Sequence, residues 1–60
     1  MKQIEHAITE LEVRLDIYQV NRELAEADGL AEDAANYSDL IVGIEKALVV
    51  LRAIVKANSI

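Results

Sequence analysis

The apolar positions of this 60-residue chain recur at alternating spacings of four and three, the signature of helices that each bury one stripe. In the first half the row is Ile4, Ile8, Leu11, Leu15, Tyr18 and Ala25, with Arg22 in its one polar place. In the second half Tyr37, Ile41, Ile44, Leu48, Leu51, Val55 and Asn58 follow the same alternation. Between them stands Ala27-Asp28-Gly29-Leu30-Ala31, where Gly29 suits the left-handed position that ends a helix and Leu30 the apolar contact after it. The pattern predicts a single all-α domain over residues 1–60: helix 1 over about 2–27, a turn at 28–30 and helix 2 over about 31–57.

Folding the chain back at Gly29 sets apolar against apolar along the whole length. Ile4 then faces Val55, Ile8 faces Leu51, Leu11 faces Leu48, Leu15 faces Ile44, and Tyr18 faces Ile41. Two rows that agree in this way form the seam of an antiparallel helix pair. Asn36-Tyr37-Ser38-Asp39 is poor in helix formers, and Ser38 offers a cap for a later start near Asp39. The reading adopted is a helix 2 continuous through that stretch.

The seam does not account for all the apolar residues. Helix 1 carries a second row, Val13, Ile17, Val20, Leu24 and Ala27, roughly opposite its seam. Helix 2 carries Leu40, Gly43, Ala47, Val50, Ile54 and Ala57 beside its seam, with Val42, Val49 and Ala53 on the remaining flank. Single surface apolar residues need no explanation, but rows at heptad spacing usually mark contact surfaces. The expectation is therefore a homo-oligomer, most simply a dimeric four-helix bundle, with a tetramer as the next possibility. Gly43 and Ala47 permit close approach, which assigns self-association to Leu40, Gly43, Ala47, Val50 and Ile54. The row Val13, Ile17, Val20 and Leu24 is then left for a further copy or a different protein.

Composition points the same way. A chain this short buries only about 60% of the surface it exposes when unfolded, and small domains usually need a disulfide, a metal or a partner chain. There is no Cys and one His, so a partner chain is the expected stabiliser. Apolar residues make up 53% of the chain with no Phe, Trp or Pro, which suits long helices.

The net charge of −5 disfavours nucleic acid, because phosphate repels it. From Glu23 to Asp39 there are six carboxylates and no Lys or Arg. The segment from Leu40 to Ala57 has the length of a membrane span but holds Glu45, Lys46, Arg52 and Lys56, each costing about 2.5–3.5 kcal/mol near a bilayer centre. The opening MKQIEHAITE is charged where a secretory signal is apolar, so the expected location is cytoplasmic.

Candidate chemistry is sparse. His6 sits among Lys2, Glu5 and Thr9 on the outer side of helix 1 with no convergent ligand. Glu23-x-x-Glu26 followed by Glu32-Asp33 has metal-like spacing, but it flanks a turn with no basic residue nearby and reads as a solvated acidic tip. Arg22 is expected opposite Asn36 and Tyr37, stacking on the Tyr37 ring and pairing with Asp33. In that place it serves either as a polar device fixing register or as part of a ligand pocket lined by Tyr18, Arg22 and Tyr37. Glu5, Glu12, Asp16 and Glu23, with Gln19, form an acidic flank; Glu12, Asp16 and Glu23 join the Val13–Leu24 row as candidates for binding a partner. Glu10 and Arg14 are expected to pair at i, i+4. No phosphate loop, nucleophile elbow or Cys–His arrangement is present, so neither an enzyme nor a bound cofactor or metal is expected.

The function these features favour is that of a small acidic oligomeric protein acting by protein–protein interaction, as an adaptor or inhibitor, of the kind mobile elements such as phages encode. The alternatives are an oligomer that sequesters a small molecule or nucleotide near Tyr18, Arg22 and Tyr37, and a purely structural assembly element.

Overall fold

The computed structural model describes residues 2–59, and these form two helices, α1 (Lys2–Ala27) and α2 (Ala31–Ala57), packed against each other. α2 runs unbroken across Asn36–Asp39: the seam spacing continues through that stretch, and packing against α1 outweighs its weak local propensity. The pair forms a rod of 48 × 15 × 12 Å. Its radius of gyration, 14.1 Å, exceeds the roughly 10 Å of a compact chain of this length.

The turn is built by the backbone around one glycine. Gly29 sits at φ +75°, the left-handed region where a side chain is strained. That conformation lets the Leu30 amide donate to the Ala25 carbonyl at 2.8 Å and the Gly29 amide to the Glu26 carbonyl at 3.1 Å. These are the two bonds of a Schellman motif, and they satisfy carbonyls that the end of α1 leaves free. Leu30 then opens α2, its carbonyl accepting from the Ala34 amide at 3.0 Å, with no side-chain cap. Glu32 and Asp33, in the first turn, place negative charge at the positive end of the helix dipole instead.

The far end of α2 is closed by side chains. Asn58 continues the spacing of the seam row, yet its amide Nδ2 donates to the Ile54 carbonyl at 2.8 Å. Ser59 Oγ donates to the Lys56 carbonyl at 2.9 Å, and Lys56 lies in the last turn, where a cation favours the dipole. Asn58 therefore caps the helix.

The core is thin. Among the described residues, the buried side chains are Ala25, Ala34, Ile41 and Leu48, the last only 2% exposed. Ala34, Ile41 and Leu48 stand seven residues apart on α2, one every two turns along the line of contact. Two of the four are alanines near the turn, so Ile41 and Leu48 carry most of the fully buried volume. The other seam residues, from Ile4 to Tyr18 and from Tyr37 to Val55, are half-buried. The accessible surface is 4572 Å², while a compact monomer of 6.6 kDa exposes about 3900 Å².

Candidate interaction surfaces

Three surfaces are available on this rod, and the helix periodicity assigns residues to each. α1 turns Val13, Ile17, Val20 and Leu24 away from α2, and all four are half or more exposed. Apolar residues thus lie on both opposite sides of α1. α2 presents Leu40, Gly43, Val50 and Ile54 on one side of the seam, all exposed, with Ala47 half-buried among them. Val42 and Val49 lie around its outer flank, Val49 at 66% exposure.

The third surface is charged. Arg52 Nη2 donates to Glu12 Oε2 at 3.0 Å across the two helices, with both side chains exposed. That contact identifies the side of the seam on which the acidic flank of α1 lies. Glu5, Asp16 and Glu23 share the face of Glu12, and Glu45 and Lys56 share that of Arg52. The α2 apolar row occupies the opposite side. Of the three acids singled out for a partner, Glu12 is already engaged within the chain, while Asp16 and Glu23 are exposed.

Around the seam's polar place the geometry departs from expectation. Arg22 Nε lies 3.6 Å from Glu26 Oε1, one turn further along its own helix, and does not pair with Asp33. The ring of Tyr37 is taken by Tyr18, their centroids 6.0 Å apart and the planes tilted by 36°, a favourable aromatic pair. Glu26 is reached without leaving α1, so the helical i, i+4 contact prevails over the longer reach across the turn. Similarly, Glu10 Oε1 lies 3.2 Å from His6 Nε2, and the expected pair with Arg14 does not form. The i, i+4 spacing of both observed pairs was visible in the sequence; the cross-helix Glu12–Arg52 pair required knowing the flank of each residue as well as the register.

The remaining chemistry is limited. A shallow, open depression of about 470 Å³ is lined by Lys2, Gln3 and His6, at the end of the rod away from the turn. Among the described residues no group of three or more His, Asp or Glu is placed to hold a metal ion, and no helix is long and apolar enough to cross a membrane. The molecule is an all-α antiparallel hairpin whose distinguishing property is exposed apolar surface. No protein-family model, curated protein or solved structure matches the chain.

Proposed function

We propose that this chain is a self-assembling helical module whose oligomer acts by binding another protein, as an adaptor or inhibitor. One observation carries the reading: ten large apolar side chains are exposed, from Val13 to Ile54, against two buried ones, Ile41 and Leu48, among the described residues. Monomers rarely show apolar stripes of this extent. The chain also exposes about 700 Å² more than a compact monomer of its mass. That is close to the roughly 800 Å² each partner contributes to a standard protein–protein interface.

The α2 row, on the side away from the charges, is the surface for self-association. The α1 row remains outside such a contact and is bordered by Asp16 and Glu23, which suits a partner offering an apolar groove with a basic rim.

Light scattering across a concentration series tests the first half of this reading: the expected mass is at least twice 6.6 kDa, and a monomer up to millimolar concentration would overturn it. The double variant Ile17→Asp, Leu24→Asp tests the second half. Its expected effect is loss of partner proteins recovered with the native chain from its host, with the oligomer mass unchanged. An unaltered set of partners would remove α1 from the account.

A further inference from the structure

We infer that the chain docks on a second copy of itself antiparallel, α2 against α2 about a two-fold axis at Ala47, with the two turns at opposite ends. The inference rests on the self-assembly reading above and adds to it the orientation and the contact. Two independent features carry it.

The first is the distribution of charge along the rod. The half nearer the turn, residues 15–44, holds seven acids, from Asp16 to Asp39, and a single base, Arg22. The half nearer the chain ends holds four acids, Glu5, Glu10, Glu12 and Glu45, and five bases. The turn half is therefore strongly negative and the terminal half slightly positive. Glu32 and Asp39 stand beside the α2 row by helix periodicity, so at the roughly 8–10 Å spacing of packed helices, close to the roughly 8 Å Debye length at physiological salt, they act on a neighbouring copy, while the acidic flank of α1 lies on the far side of the rod. Parallel docking brings the two acidic halves together. Antiparallel docking sets each beside a half of opposite sign.

The second is the shape of the α2 row under a two-fold axis. With Ala47 on the axis, Leu40 stands level with the second copy's Ile54, and Gly43 lies within one residue, about 1.5 Å, of the level of the second copy's Val50. A Cβ built on Gly43 meets nothing within 4 Å among the described residues, so the glycine leaves a notch open to the outside. Val50, 58% exposed, is the knob that fills it, and the axis repeats the match. A parallel pair sets glycine on glycine and valine on valine, leaving a void at one level and crowding at the other. The contact is self-complementary, as a closed two-fold interface requires.

The chain has no cysteine, so Ala31→Cys, at the exposed start of α2, places one spin label per chain without altering charge. Ala31 lies sixteen residues from Ala47, which puts the two labels of an antiparallel dimer roughly 50 Å apart at 1.5 Å per residue. An inter-label distance near that value by pulsed electron–electron resonance, together with a dimer mass, is the expected result. A dimer with labels closer than roughly 25 Å overturns the orientation and leaves self-assembly standing. A monomeric mass with no coupling between labels overturns both, and a trimer overturns the two-fold contact. Gly43→Leu provides a second measurement, since it fills the notch without meeting its own hairpin. Its dissociation constant is expected to rise at least tenfold, and an unchanged one overturns the Gly43–Val50 match.

Discussion

Gly29 is the residue on which the chain's reversal depends. Its positive φ is what allows the Leu30 and Gly29 amides to reach the Ala25 and Glu26 carbonyls. A Cβ there meets no neighbour, so the cost of Gly29→Ala is conformational alone, about 1–2 kcal/mol. For a domain of this size that lowers the thermal midpoint by several degrees, measurable by circular dichroism. The Glu12–Arg52 pair stands at the other extreme. Both ends are exposed, and such pairs contribute at most about 1 kcal/mol. A double-mutant cycle with Glu12→Gln and Arg52→Gln is expected to give a coupling of a few tenths of a kcal/mol, vanishing in molar salt. At this scale the sequence was legible where backbone conformation decides, as at Gly29. It was misleading at Arg22 and Asn58, where a long or polar side chain chose a nearby partner on its own helix over the one its place in the pattern suggested, and at Glu10, which pairs with His6 one turn before it instead of Arg14 one turn after.

At the scale of the helices, α1 and α2 differ in what holds them. α1 has apolar residues on opposite sides, so nothing in its own sequence says which side meets α2. The choice became legible only through α2, whose seam row matches Ile4–Tyr18 and leaves Val13–Leu24 outside. α2 supplies three of the four buried residues at strict seven-residue spacing. Leu48 is the most enclosed of them, and Leu48→Ala removes contacts on both helices. The expected loss is about 2–5 kcal/mol, which a core this small cannot absorb. Loss of the cooperative urea transition is the expected outcome. The same change at Val49, on the outer flank, leaves the hairpin's own packing untouched and is expected to shift stability by less than about 0.5 kcal/mol. The contrast between adjacent residues isolates the seam as the source of the fold, since helix propensity rises with alanine at both positions.

For the whole molecule, the question is whether a rod two helices wide reaches stability by itself. Its fully buried side chains are few, its surface exceeds that of a compact chain, and it has no covalent or metal staple among the described residues. If folding is coupled to association, stability follows protomer concentration by mass action. Each tenfold dilution then removes about 1.4 kcal/mol from the folded side, and the thermal midpoint falls by about 5 °C. A monomeric fold gives a midpoint independent of concentration. Ile54→Asp discriminates further, because Ile54 belongs to the α2 row and not to the seam. In an assembly closed through that row the aspartate is buried against the second copy with no cation opposite, and dissociation is the expected result. In an isolated hairpin the same aspartate faces water, and the midpoint barely moves. The dilution series on the native chain and on Ile54→Asp should therefore converge at low concentration and separate at high concentration; two superimposed series would mean that the apolar surface of α2 serves something other than a second copy.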